Sequence, residues 1–338
     1  MKLSSIFQLR TEATHQLIDL LESTALGTNG AKYRHLDTRN RILEADDPLF
    51  LSIERNNKIL GNVTFCRRGK TWYIRYFAFQ QMLQSSNRPK ETHKANSYLK
   101  QQLRFFFDEQ FQSAVETMYA YIDPKNDRSK WMSQNFGFHK TSTLATQSFS
   151  RIYPKKSPRL EKIEDWNQVK PIVIKNYGKH SHFFTTHASK PPFYVLKGEN
   201  EQIIACARVT KVNWEIVRLP GKFGQLTTKL IPFIPFLNRL IQPKNHTFLV
   251  PEIVCVNQND PTLLDELFSA ILFQEKLNLM LWWIDETDSL YVSVKKKVHW
   301  GLLHTIIGVA PVDVVERKRS GISEKTQSPI FVTAFDMV

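Results

Sequence analysis

Met118–Phe138, MYAYIDPKNDRSKWMSQNFGF, is the stretch around which the rest of the chain can be laid out. Tyr119 and Tyr121 alternate with small or apolar residues, a period-2 pattern that predicts a buried strand over Met118–Ile122. Pro124 stops that strand because it has no N–H to give to a ladder. Asn126 is a good helix N-cap with Ser129 behind it, and Gly137 can take the left-handed conformation that ends a helix. The stretch therefore reads as strand, tight turn at Asp123-Pro124, then a helix running to Gly137-Phe138.

Upstream, a helix is expected over roughly Glu12–Glu22, then a polar irregular stretch to Asp47. Pro48-LFLSIERNNKILGNVTF reads as two strands joined by a turn at Asn56-Asn57, followed by a third strand over Trp72–Phe79. Residues 80–95 form a polar basic loop, and residues 96–111 carry apolar residues at helical spacing. The second half repeats the plan. Pro192-FYVLKGENEQIIACARV aligns without gaps on the hairpin at Pro48, pairing Asn56 with Asn200 and Ile59 with Ile203. Met280-LWWID matches Met118-YAYID, Phe248–Val256 is the fourth-strand counterpart, and Asp260-Pro261 caps and starts a helix to Lys276. Two copies of one α/β unit are the reading, divided as residues 1–152, a Pro- and Lys-rich linker at 153–163, and residues 164–338 with an insertion at 210–247.

The spacing N-x-x-S-x-x-M-x-x-x-x-G-F, in Asn126, Ser129, Met132, Gly137 and Phe138, resembles the last conserved segment of the GNAT superfamily of acyl-CoA-dependent N-acyltransferases. The order of elements in both halves is also the GNAT order. The resemblance implies an α/β (α+β) fold of two GNAT-like domains, each a mixed, mainly antiparallel sheet flanked by helices. It implies that each sheet splays between its fourth and fifth strands, where the pantetheine arm of acetyl-CoA or a longer acyl-CoA would lie. It further implies transfer of the acyl group to an amine by direct attack in a ternary complex, with Asn126 and Ser129 near the donor. The tyrosine that protonates the departing thiolate in many members falls here on Ser133.

The family's glycine-rich pyrophosphate loop is missing from both halves. The first half offers Arg88, Lys90, His93 and Lys94 instead, cations that could replace backbone amides as phosphate ligands or simply face solvent. The second half offers Asn257-QNDPT, where Pro261 removes an amide and Asp260 places a negative charge. Glu252 stands in the apolar run Phe248-LVPEIVCV, where desolvation is expected to raise its pKa toward that of a general base; a salt-bridged glutamate is the alternative. Its counterpart in the first half is Arg75, and Tyr291 is a candidate proton donor or a packing residue.

Composition bounds the partners. The net charge of +14 is spread evenly, with +7 on residues 1–150 and +7 on residues 151–338, which favours a polyanion: a nucleotide cofactor, an anionic membrane or nucleic acid. No nucleic-acid-binding motif singles out the last. Cys66, Cys206 and Cys255 sit in apolar runs and read as buried thiols, and no C-x-x-C or H-E-x-x-H pattern points to a metal. The absence of a secretory h-region and of a long apolar run makes a cytoplasmic location the expectation. Within 210–247 the apolar, cation-edged run at 222–244 could be a lid, a peripheral membrane contact or a packed insertion. Three functions stay open: acyl transfer to a small-molecule or lipid acceptor, a non-catalytic GNAT-derived protein binding a ligand or membrane surface, and aminoacyl transfer from a charged tRNA.

Overall fold

The computed structural model describes residues 6–27, 31–45, 47–79, 98–219, 221, 223–321 and 328–337. The first half of the chain supplies β1 (Phe7–Arg10), α1 (His15–Ser23), β2 (Lys32–His35), α2 (Thr38–Leu43), β3 (Pro48–Arg55), β4 (Lys58–Arg68), β5 (Thr71–Phe79), α3 (Tyr98–Ser113), β6 (Thr117–Ile122), α4 (Asp127–Asn135) and β7 (His139–Ser150). The second supplies β8 (Leu160–Ile163), α5 (Trp166–Tyr177), α6 (Thr185–Ala188), β9 (Phe193–Lys197), β10 (Ile203–Arg218), α7 (Gly224–Leu230), α8 (Pro235–Leu240) and β11 (His246–Val256). It ends with α9 (Pro261–Glu275), β12 (Leu279–Asp285), α10 (Ser289–Val294), α11 (Leu302–Ile307), β13 (Ala310–Lys318) and α12 (Ala334–Met337).

These elements form two units that do not follow chain order. One comprises Met1–Leu26, Asp37–Thr141 and Val314–Lys325; the other comprises Gly27–Leu36, Ser142–Asp313 and Thr326–Val338. In the first unit the strand order is β1-β3-β4-β5-β6-β13. In the second it is β7-β12-β11-β10-β9-β8, with β2 paired to β10. Residues 153–163 lie inside the second unit, where Leu160–Ile163 pair with β9. The insertion is partly strand, because β10 continues to Arg218.

Local chemistry explains the elements. Asn56 and Asn57 both adopt positive φ, the conformation that a two-residue hairpin turn demands, and Glu201 does the same in the second hairpin. The Asn126 side chain accepts from the Ser129 amide at 3.0 Å, capping α4, and Gly137 ends it at φ +79°. Asp260 caps α9 through the Thr262 amide at 2.8 Å.

Each sheet is covered on both faces. In the first unit Leu49, Leu51 and Ile53 of β3 point to a core with Phe106 and Phe107 of α3, while Phe50 points to Leu17 and Leu21 of α1. In the second, Leu249 and Val254 of β11 face Phe268 and Ile271 of α9, while Ile253 and Cys255 face Val169, Val173 and Tyr177 of α5. The three cysteines are buried thiols.

Candidate active site

Each unit holds a pair of neighbouring parallel strands that parts almost at once. β5 and β6 are in register from Thr71–Tyr73 opposite Thr117–Tyr119. β11 and β12 are in register at Leu249 opposite Met280 alone. The two positions correspond, since Trp72 faces Met118 in one unit and Leu249 faces Met280 in the other. Beyond them the sheet opens, as the family resemblance implied.

A β-bulge lies three residues past each junction. The β4–β5 register jumps between Thr64–Tyr76 and Phe65–Ile74, leaving Arg75 as the extra residue. The β10–β11 register jumps between Arg208–Ile253 and Val209–Pro251, leaving Glu252. The gapless hairpin alignment pairs Thr64 with Arg208 and Phe65 with Val209, so the irregularity belongs to the repeat. An extra residue reverses the strand's alternation. Trp72 and Ile74 thus face one core and Ala78 the other, and Leu249 shares a core with Val254.

Glu252 is 4% exposed and ringed by polar partners. His187 Nε2 donates to its Oε2 at 2.9 Å, Thr210 Oγ1 donates to its Oε1 at 2.6 Å, and Arg208 Nη2 lies 3.4 Å from Oε1. Arg208 also donates to the His187 carbonyl, tying α6 to β10. The expected upward pKa is corrected here. Burial pushes the carboxyl up, but Arg208, His187 and Thr210 together outweigh it and hold it at about 2. A carboxylate that weakly basic takes protons poorly. Because it can only accept, it fixes the proton of a neutral His187 on Nε2 and leaves Nδ1 as the basic nitrogen. His187 and Arg208 had no sequence signal, lying 65 and 44 residues from Glu252 in unremarkable contexts.

The opening in the second unit is filled by the chain itself. The Tyr177 hydroxyl donates to the Val254 carbonyl at 2.8 Å and accepts from the Val254 amide at 3.0 Å. Ile330 donates its amide to Asp285 Oδ2 at 3.0 Å, at the end of β12. Ser181 donates its amide to the Pro329 carbonyl at 3.0 Å and accepts from the Phe331 amide at 2.9 Å. Phe331, 2% exposed, packs edge-on against Tyr177 and Phe183 in the core that holds Ile253 and Cys255. The N-terminus of α9 is taken as well, since Asp260 accepts from the amide and hydroxyl of Thr262, both at 2.8 Å.

The other sequence-derived site residues are placed as follows. Arg88, Lys90, His93 and Lys94 lie outside the described residues. Asn126 and Ser129 stand at the N-terminus of α4, where the Asn126 side chain is engaged as the cap. Ser133 donates its hydroxyl to the Lys130 carbonyl at 2.8 Å. Tyr291 is buried in the second unit's core, edge-on to Trp282, with its hydroxyl 3.5 Å from Gln147 Oε1. Burial and the nearby Glu286 push it up to about 12, so it keeps its proton at neutral pH. The structure brings Glu252 together with His187, Thr210 and Arg208, and Asn126 with Ser129.

The backbone is similar to that of Saccharomyces cerevisiae N-myristoyltransferase with bound myristoyl-CoA, at a TM-score of 0.56 and 8% identity over 94% of this chain and 85% of that one. It is similar also to a tandem GNAT protein from the clavulanic acid biosynthesis pathway, at a TM-score of 0.53 and 9% identity over 94% of this chain and 100% of that one. No protein-family model and no curated protein matches the sequence. The likeness is one of fold: the chain is built as two GNAT-like halves.

Proposed function

We propose that the protein is an N-acyltransferase that moves an acyl group from acyl-CoA to an amine of a small-molecule or lipid acceptor, by direct attack in a ternary complex. The observation that carries this reading is the parting of β5 from β6 just past Tyr73 and Tyr119, with a bulge at Arg75 beside it. Two separated strand edges offer amides and carbonyls to an extended ligand, and the pantetheine arm carries amides of its own. A strand N–H there can polarise the thioester carbonyl, and holding amine and thioester in contact supplies much of the acceleration. The donor goes to the first unit in this reading, because Tyr177 and residues 329–331 occupy the opening of the second. Asn126 and Ser129 flank the donor, and Arg88, Lys90 and Lys94 meet its pyrophosphate as cations.

In the second unit Glu252 holds the His187 ring by its Nε2–H, and Tyr291, protonated at neutral pH, can only donate.

A second reading, a binding protein of GNAT descent without turnover, is favoured by the filled opening and occupied helix N-terminus of the second unit. Calorimetry with acetyl-CoA and palmitoyl-CoA tests donor binding. The folded protein binding neither overturns the acyl-CoA reading. Binding without thiol release in the presence of primary amines leaves the binding protein as the function.

A further inference from the structure

Large apolar side chains crowd one short exposed segment. From Phe223 to Phe236 the chain exposes Phe223 (74%), Leu226 (55%), Leu230 (48%), Phe233 (81%), Ile234 (43%) and Phe236 (57%). The segment is α7, a 3-10 turn at Ile231–Phe233 and α8, broken by Pro232 and Pro235, which start new turns rather than continue one helix. It is built to hold this pose. Thr228, Ile231, Leu240 and Ile241 are buried as its anchors, and Thr228 Oγ1 accepts from the Leu219 amide at 3.0 Å. Phe223, Leu226 and Leu230 follow at i, i+3 and i+7, one face of a helix. A fold with buried anchors has no need of six exposed apolar side chains beside them, and such a patch marks an interaction surface.

Charge decides the partner. Arg218, Lys229, Arg239 and Lys244 are exposed around this face, and no Asp or Glu occurs between Arg218 and Pro251. The nearest preceding acid, Glu215, accepts from Arg34 at 3.0 Å. Arg239 stacks over the exposed ring of Tyr153, 5.0 Å from its centroid, which adds an aromatic with a polar tip to the rim. A second copy of the chain would bring the same cations against these. An acidic lipid headgroup layer meets them, and its acyl boundary takes phenylalanine and leucine to shallow depth. Aromatic side chains favour that boundary.

We propose that the Phe223–Phe236 face docks on an anionic phospholipid bilayer, with its apolar side chains entering the headgroup region and Arg218, Lys229, Arg239 and Lys244 facing the acidic headgroups. The proposal goes beyond acyl transfer and stands without it. Among the described residues no helix is long and apolar enough to cross a membrane, so the contact is one of surface.

The test is co-sedimentation of the full chain with vesicles of phosphatidylcholine alone and of phosphatidylcholine with about 30 mol% phosphatidylglycerol. Partitioning should be at least tenfold stronger on the anionic vesicles and fall as salt is raised. The triple variant Phe223→Ser/Phe233→Ser/Phe236→Ser should lose at least tenfold with an unchanged melting curve, since those side chains are exposed. Lys229→Glu/Arg239→Glu should remove the preference for anionic vesicles. No binding to anionic vesicles, or equal binding by the parent and the triple variant, overturns the proposal. So does a concentration-dependent dimer that the triple variant abolishes while vesicle binding stays weak, because the face would then serve a second copy.

Discussion

The Tyr177 hydroxyl closes a two-bond ring on the main chain of Val254, donating to its carbonyl at 2.8 Å and accepting from its amide at 3.0 Å. A side chain from α5 thus stands where the next strand's backbone would otherwise satisfy β11, and both residues are buried. Tyr177→Phe keeps the ring against Phe331 and strands both Val254 groups, so it should destabilise by about 2 kcal/mol. Urea unfolding measures this. A loss below a few tenths of a kcal/mol would show that the bonds are replaced by water or by a shift of β11.

Acid should act on Glu252 in a defined window. Its folded pKa of about 2 lies below the ordinary carboxylate value of 4.5, so its contribution is present above the unfolded value and is lost as pH falls from about 4.5 to about 2. The pH-dependent part is roughly 3 kcal/mol. Unfolding midpoints between those limits should decline in the parent protein. In Glu252→Gln/Arg208→Met, which removes both charges so that neither is left buried alone, they should decline less. Equal slopes in the two proteins would mean that other carboxylates govern the response.

His246 supplies a second window at higher pH. Burial pushes this imidazole down to about 4, below its ordinary 6.5, and it packs on Phe248 at 5.3 Å. The folded state therefore resists protonation, and stability should fall as pH drops from about 6.5 to about 4. His246→Phe should flatten that part of the profile while leaving the lower window intact. An unchanged profile between these limits would exclude His246 as its source.

How far the residues announced all this depended on sequence separation. The Asn56-Asn57 turn, the Asn126 cap and the Asp260 cap are local devices, each with its partner within four residues, and their residue types state the geometry. The repeat was readable for the same reason, down to the equivalence of Arg75 and Glu252. The bulge itself was not, because one extra residue leaves an apolar run looking like an apolar run. Nor was the membership of β2, β7 and β13, since a strand's alternation is the same whichever sheet takes it. Between a raised pKa and a salt bridge for Glu252 the residues leave the choice open, because burial shows in its neighbours while Arg208 and His187 lie far along the chain. Their pairing is a product of tertiary structure alone.

The Asn126 cap separates two roles that the motif leaves joined. Asn126→Asp keeps an acceptor for the Ser129 amide and should leave stability nearly unchanged, whereas Asn126→Ala should cost about 1 kcal/mol. If Asn126 also touches the donor, acyl-CoA affinity will fall in both variants by more than the stability change accounts for. Affinity that tracks stability alone would confine Asn126 to capping.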